Sequence, residues 1–238
     1  MNDIKTENTA SRIDAMPEQT IINSITAAVS EQRLPAGTKL GEQVLSDLFD
    51  CNRANVRRAL STLATMHVVQ LQPNRGAFVS TPSPKEAGDV FEARRTIERM
   101  LARKVIENFT SQDIADMRAT IAAEAKARTK GDKPAELRLS RTFHMRLATI
   151  ADNQVLERFL SELTLRTTLI IGLYNTAGSS HCAEDEHLEI VQAIENKDEE
   201  RLLLLIDQHL NHLEAGLDFN ASTKPFFNLA EHLTIVPV

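Results

Sequence analysis

The segment from Cys51 to Ser80 differs in charge from the rest of the chain. It contains four arginines and no aspartate or glutamate, whereas the 238-residue chain as a whole carries a net charge of -6. The arginines are Arg53, Arg57, Arg58 and Arg75. Guanidinium groups bind phosphates and the edges of guanine bases. This local excess of positive charge in an acidic protein therefore indicates a binding surface for a polyanion.

Three histidines in the second half of the chain lie on apolar stripes with helical spacing. His187 is followed by apolar residues at i+3, i+4 and i+7, and His144 and His209 each share a helical face with leucines. Neutral imidazole binds Zn²⁺ and Ni²⁺, and three such ligands leave a coordination position open for water or an effector. Inward histidines are also found as hydrogen-bonded core residues, so the spacing leaves a metal site and a structural role open.

The composition is that of a globular protein of two domains, with 42% hydrophobic and 25% charged residues. Residues 1–80 carry eight basic and eight acidic side chains, so the excess negative charge lies in residues 81–238. The longest aliphatic run, Leu202 to Ile206, is too short to span a membrane, and we expect a cytoplasmic protein. Two cysteines, Cys51 and Cys182, do not imply a disulfide framework.

Residues 17–80 predict three helices followed by a hairpin. Apolar positions at helical spacing indicate a helix from Pro17 to Gln32 and a short second helix that ends near Asp50. Asn52 can cap a third helix, which turns its apolar positions inward and its arginines outward. Two β-rich runs then flank the turn-forming residues 72–76, which places Arg75 at the tip of a hairpin.

This order of elements is the plan of a winged helix-turn-helix, whose third helix enters the major groove of DNA. Three segments carry a closer resemblance. Leu34–Leu40, Arg53–Leu63 and Pro73–Val79 resemble the GntR family of bacterial transcription regulators, from about Ile21 to Val79.

The remainder predicts helices alone, beginning after Ser83 with Pro84 in the first turn. The expected spans are 84–108, 111–130, 134–151, 154–176, 181–196 and 199–219. Phe91–Glu98, Phe143–His144 and Glu186–Ile190 are similar to the ligand-sensing, FCD-type domain of the FadR branch of that family.

The predicted fold is mainly α, with an N-terminal winged helix-turn-helix and a C-terminal antiparallel all-α bundle. We expect a flexible segment at 1–16, the DNA-binding domain at 17–80, an effector-binding and dimerisation domain at 81–220, and a tail at 221–238. The sequence leaves open whether the tail segment Lys224–Phe227 packs on the bundle or on a partner subunit.

Arg53, just inside the third helix, is the candidate for a bidentate contact with guanine O6 and N7. The family resemblance implies further contacts with DNA from Gln43, Asn52, Ala54, Asn55, Arg57, Asn74, Arg75 and Gly76. Three of the neighbouring positions depart from the family pattern. Gln43 replaces an arginine that binds phosphate, Asn55 replaces a proline, and His67 replaces a glycine after the recognition helix.

The resemblance also implies a metal site and an effector. Many relatives have Asp-x-x-x-His, a second histidine, and a third 22 residues later; His144, His187 and His209 match, but Ser140 stands at the position of the aspartate. Zn²⁺ or Ni²⁺ is the expected metal, and a site that binds effector without metal is the alternative. The effector class is a small carboxylate, because arginine binds carboxylates through paired hydrogen bonds. Arg94, Ser140, Arg141 and Arg166 are the candidate contacts.

The sequence thus predicts a homodimeric regulator that binds a palindromic operator and is released by its effector, with activation of transcription as an alternative. A metal-dependent enzyme is a second hypothesis, against which no Asp or Glu is spaced as a general base beside the histidines. A third hypothesis is an architectural DNA protein without sequence preference. Substitution of Arg53 distinguishes it from a regulator, because only base readout depends on the operator sequence.

Overall fold

The computed structural model describes residues 17–175 and 186–220, together with Leu229, Leu233, Ile235 and Val236. The predicted segment 1–16 and most of the tail lie outside this range. The N-terminal elements are α1 (Pro17–Ser30), β1 (Lys39–Leu40), α2 (Glu42–Leu48), α3 (Arg53–Thr65), β2 (Val69–Gln72) and β3 (Gly76–Val79). The three strands form an antiparallel sheet in the order β1-β3-β2, in which β2 and β3 are the wing.

Helix α3 begins where the sequence predicts it, because the side chain of Asn52 accepts a hydrogen bond from the backbone N–H of Asn55 at 2.9 Å. Its apolar face is buried against α1. The helix gives way to the wing at His67, whose φ of +55° is in the left-handed region. A histidine there costs about 1 kcal/mol relative to the glycine expected from the family pattern.

Six further helices lie between residues 84 and 215 in the part of the chain that the structure describes, and their limits agree with the predicted spans to within a few residues. They are α4 (Pro84–Asn108), α5 (Ser111–Thr129), α6 (Lys133–Ile150), α7 (Gln154–Tyr174), α8 (Glu186–Glu195) and α9 (Glu199–Ala215). Residues 176 and 181–185 of the predicted helices fall outside the described range. Pro84 and the N-cap Ser83 begin α4, where the Ser83 hydroxyl accepts from the backbone N–H of Glu86.

Helix α4 contacts α6, α7 and α9, while α5 packs against α6 and α8. The bundle closes around Phe91 of α4 and Phe143 of α6, which are both fully buried. The predicted fold class, a winged helix-turn-helix followed by an all-α bundle, is confirmed. Among the described residues no helix combines the length and the apolar character needed to cross a membrane.

Candidate functional site

The outer face of α3 carries the arginines that the sequence singled out. Arg53, Arg57 and Arg58 are exposed, as are Asn52 and Ala54 at the start of the helix. Gln43 is exposed on the neighbouring helix α2, and Asn55 is half-buried. The three arginines lie in the N-terminal half of α3, which is the part of a recognition helix that reaches base edges.

Two acidic residues from other helices lie against these arginines. Glu42 Oε2 accepts from Arg53 at 3.2 Å and from Arg57 at 2.9 Å, and Glu18 Oε2 accepts from Arg58 Nε at 2.9 Å. The absence of acids between residues 51 and 80 is therefore a property of that sequence window and does not describe the folded surface. Glu42 and Glu18 reach the arginines because α2 and α1 pack beside α3.

The wing carries the fourth arginine of this segment, Arg75. Arg75 is exposed at the tip, with its guanidinium carbon 5.5 Å from the centre of the Phe78 ring. Asn74 and Gly76 have φ of +61° and +96°, so the hairpin turn itself needs residues that tolerate the left-handed region. A Cβ added at Gly76 would have no protein atom within 4 Å. The turn geometry therefore accounts for this glycine within the free protein.

The three candidate metal ligands meet inside the bundle. His144 on α6, His187 on α8 and His209 on α9 are all buried, and one ligand atom from each lies within 4.8 Å of the others. The Nε2 atoms of His144 and His209 are 3.2 Å apart. Phe143 stacks on the ring of His187 at 4.2 Å between centroids, which fixes that imidazole from one side.

Each of these histidines is held by a glutamate at Nδ1. The distances from Nδ1 to the carboxylate oxygen are 3.0 Å for His144 and Glu98, 2.9 Å for His187 and Glu124, and 2.8 Å for His209 and Glu186. The expectation that no acid lies beside the histidines was wrong. Glu98 and Glu124 lie on apolar stripes of α4 and α5, which is a detectable signal for a buried charge; packing of the helices decides which histidine each one meets.

The charges of this cluster fix the tautomers of two rings. Burial opposes the charge of Glu98, but its neighbours His144 and Arg94 lower the pKa of this carboxyl well below its usual range. Burial lowers the pKa of His144 to about 3, although Glu98 opposes that change. Burial also opposes the charge of Glu186, yet hydrogen bonds from His209 and His212 lower its pKa to about 2. An ionised carboxylate only accepts, so Nδ1 of His144 and of His209 carries the proton.

This proton arrangement points both Nε2 lone pairs toward a shared space. Two unprotonated nitrogens at 3.2 Å repel each other unless a proton or a metal cation lies near both. Nitrogens bonded to one ion at about 2.1 Å lie about 3.0–3.4 Å apart at angles between 90° and 109°. The carboxylate partners at Nδ1 are the usual outer partners of metal-bound histidine. The residues present therefore fit a divalent transition metal.

A cavity of about 60 Å³, called the histidine cavity below, adjoins His144. Arg94, Ser140, Arg141 and His144 are among its lining residues, and hydroxyl groups of α7 form another part of the wall. Ser140 lies one helical turn before His144, where the family pattern has aspartate. The position of the aspartate in the family pattern therefore faces the same cavity as His144.

The two arginines of this cavity differ in their partners. Arg94 is 4% exposed, and its Nε donates to Glu98 Oε1 at 2.6 Å. Arg141 donates to the hydroxyl of Ser161 at 2.9 Å, and within the described part of the chain it has no carboxylate partner. Burial, with the charge of Arg94, lowers the pKa of Arg141. An anion bound near both guanidinium groups would stabilise the charge of Arg141 beside that of Arg94.

Arg166 does not line this cavity. Its guanidinium donates to Glu86 at 2.7 Å and to Glu162 at 3.3 Å, and thereby connects α7 to the start of α4. The prediction that Arg166 contacts the effector is therefore not supported by its position.

Comparisons with known proteins match both parts of the chain. The profile of the bacterial regulatory proteins of the gntR family matches residues 17–79, and that of the FCD domain matches residues 89–212. The chain is 24% identical to the HTH-type transcriptional repressor RspR of Escherichia coli K12 over 182 residues, which cover 76% of this chain and 80% of RspR. It is 23% identical to the HTH-type transcriptional regulator LutR of Bacillus subtilis over 188 residues, covering 70% of this chain and 85% of LutR.

A solved structure agrees with the fold. The structure of McbR/YncC from E. coli superposes with a TM-score of 0.75 at 18% identity, covering 84% of this chain and 95% of McbR. The FCD match alone spans more than half of the chain. The recognition helix, the wing and the helical bundle thus belong to one known architecture: the chain is a member of the GntR family of bacterial regulatory proteins with an FCD domain, a DNA-binding transcriptional regulator and not an enzyme.

Proposed function

We propose that this protein is a cytoplasmic, homodimeric repressor that binds a palindromic operator and is released by a small carboxylate. The observation that carries the effector class is Arg141, a largely buried guanidinium in the wall of the histidine cavity with no carboxylate partner among the described residues. A carboxylate would accept paired hydrogen bonds there and offset the charge that Arg141 adds beside Arg94. Repression is proposed because RspR is described as a repressor.

We further propose that His144, His187 and His209 hold a divalent transition metal, Zn²⁺ or Ni²⁺. When bound, such an ion supplies a Lewis acid with an open position for an oxygen ligand. His144 and Ser140 border the cavity, so an effector carboxylate at Arg141 would lie near that position. A cavity of about 60 Å³ favours the smaller acids of this class, such as short hydroxy acids. A sensor that binds its effector at Arg141 without metal is the second candidate.

Arg53 is proposed to read guanine, and Arg57 and the wing to contact phosphates, with support from the exposure of Arg53, Arg57 and Arg75. Gln43, Asn52, Ala54, Asn55, Asn74, Arg75 and Gly76 complete the proposed interface. One module reads a half-site, and a two-fold dimer therefore reads an inverted repeat.

The test is selection of bound duplexes from a random library by the full-length protein, followed by affinity measurements. We expect an enriched inverted repeat bound about 1,000-fold or more above random duplex at physiological salt. Arg53→Ala should weaken binding to the selected duplex and leave binding to random duplex unchanged. Arg103→Ala, on the bundle, should change neither of these two affinities. Equal affinity for all duplexes would instead support an architectural DNA protein. Native mass spectrometry of the same sample reports the number of subunits, and a monomer at micromolar concentration would contradict the dimer.

A further inference from the structure

The last described residues of the chain pack on its N-terminal module. Leu229 and Leu233 are each 6% exposed and belong to the same hydrophobic cluster as Ile21 and Ile25 of α1. The backbone N–H of Val236 donates to the hydroxyl of Ser24 at 2.8 Å. Ser24 is fully buried in α1. Leu229, Leu233 and Val236 therefore contact the DNA-binding module, and the two leucines extend its core.

The same cluster includes one face of α7. Leu165 and Leu169 are buried with the apolar residues of α1 and α3, whereas Thr164, Thr167 and Ile171 of the same helix line the histidine cavity. Helix α7 thus lies between the effector cavity and the DNA-binding module. A tilt or shift of this helix would move both surfaces, because a packed helix moves as a unit.

Outside the apolar contact of α1 with Leu165 and Leu169, the module meets the bundle through weaker contacts. A cavity of about 260 Å³ separates residues such as Leu34 and Pro35 from Leu173 of α7. Gln32 Nε2 reaches the carbonyl of Thr168 at 3.4 Å, and Glu31 forms an ion pair with the exposed side chain of Arg138. A long hydrogen bond and an exposed ion pair constrain orientation weakly. Relative motion is the expected behaviour of two domains joined in this way.

We propose that Leu229, Leu233 and Val236 position the DNA-binding module on α7, so that the placement of the recognition helix follows the state of the effector cavity. The two leucine side chains cover the core that α1 shares with α7, and the hydrogen bond to Ser24 attaches Val236 to α1. Its consequence for DNA rests on the proposed function. The contact itself is a property of the free protein and is testable without DNA.

Hydrogen–deuterium exchange of the full-length protein tests the contact. In Leu229→Ser/Leu233→Ser, we expect amides of α1 to exchange about tenfold faster or more, while those of α5 and α9 keep the wild-type rate. Ile235→Ser is the matched control, because Ile235 lies in the same segment but is 48% exposed. Leu233→Ala serves if the double variant does not fold, and should show a smaller change in the same amides. Unchanged exchange in α1, or equal acceleration throughout the bundle, would overturn the proposal.

A second measurement tests positioning on DNA. Two rigidly placed modules accept one spacing of half-sites, so two base pairs inserted at the centre of the selected duplex should cost the wild type about 30-fold in affinity. We expect the double serine variant to lose about threefold or less from the same insertion, because its modules reorient. An equal loss in both proteins would overturn the positioning role. If no duplex is selected at all, the proposed function fails, and the exchange measurement still decides whether the contact exists.

Discussion

Glu42 accepts a hydrogen bond from Arg57 at 2.9 Å across 15 positions of sequence, and the same oxygen accepts from Arg53 at 3.2 Å. One carboxylate thus holds two of the proposed DNA-contacting side chains in the free protein. The Glu42 carboxylate also offsets one positive charge on the surface that is proposed to meet phosphates. Glu42 is therefore expected to favour operator over random DNA, since phosphate contacts supply most non-specific affinity.

Glu42→Gln should strengthen binding to random duplex by about 3-fold to 10-fold at low salt and steepen the salt dependence by up to about one ion. The selected duplex should gain less, so the ratio of the two affinities should fall. Fluorescence anisotropy at several salt concentrations measures both, with Glu107→Gln, an exposed acid of α4, as the control. Unchanged affinity for random duplex would show that Glu42 does not restrain the arginines.

Substitution of a proposed ligand should remove the metal. Protein purified without exposure to chelator is expected to carry about one equivalent of transition metal per chain, and His187→Ala less than about 0.1. Elemental analysis measures the content. His67→Asn, in the DNA-binding module, should retain the wild-type amount. A wild-type protein with well under one equivalent would contradict the metal site and favour the sensor without metal.

Ser140 offers a complementary gain of function. A carboxylate at this position would add an oxygen ligand and a negative charge one turn from His144, so Ser140→Asp should bind metal about tenfold more tightly or more. Competition against a chromogenic chelator gives the affinity. Ser140→Asn has a similar size without the charge and should stay near wild type. Equal metal affinities of Ser140→Asp and Ser140→Asn would show that a carboxylate at this position does not bind the metal.

The ion pair between Arg94 and Glu98 is buried, with side-chain exposures of 4% and 1%. Glu98→Gln leaves the Arg94 charge without its carboxylate, which should lower the free energy of unfolding by about 3–5 kcal/mol. Denaturant unfolding with excess chelator separates this effect from loss of metal.

The same helix provides a control with the same spacing. Lys85 and Asp89 also pair at i, i+4, but their side chains are 85% and 61% exposed, and Asp89→Asn should leave the unfolding midpoint unchanged. A similar loss of stability from Glu98→Gln and from Asp89→Asn would show that burial does not determine how much an ion pair contributes.

Much of the fold was predictable because helical periodicity and capping are local. The inward residues of α3, the cap at Asn52 and the start of α4 after Ser83 all follow from neighbours in sequence. The left-handed backbone at His67 also followed, since the family pattern has glycine there. The sequence likewise indicated which face of each helix carries His144, His187 and His209.

The partners of these residues were not predictable in the same way. Glu98, Glu124 and Glu186 meet the histidines from other positions of the chain, and Glu42 meets Arg53 and Arg57 from a separate helix. Arg166 is of a residue type that binds carboxylates, but it pairs with Glu86 and does not line the cavity. Nothing in the sequence pattern indicated that Leu229 and Leu233 join the core of the DNA-binding module, and the segment Lys224–Phe227 lies outside the described residues.

By itself, the sequence determined the elements, their buried faces and the family, because these depend on the spacing of apolar, capping and turn residues along a few helical turns. Only the tertiary structure decided the charge around the arginines of α3, the proton arrangement of the histidines and the contacts of Leu229 and Leu233. These depend on which helices pack side by side, and that packing brings together groups up to 212 positions apart. Where such groups are buried, their pairing affects stability, because an unpaired charge away from water costs free energy.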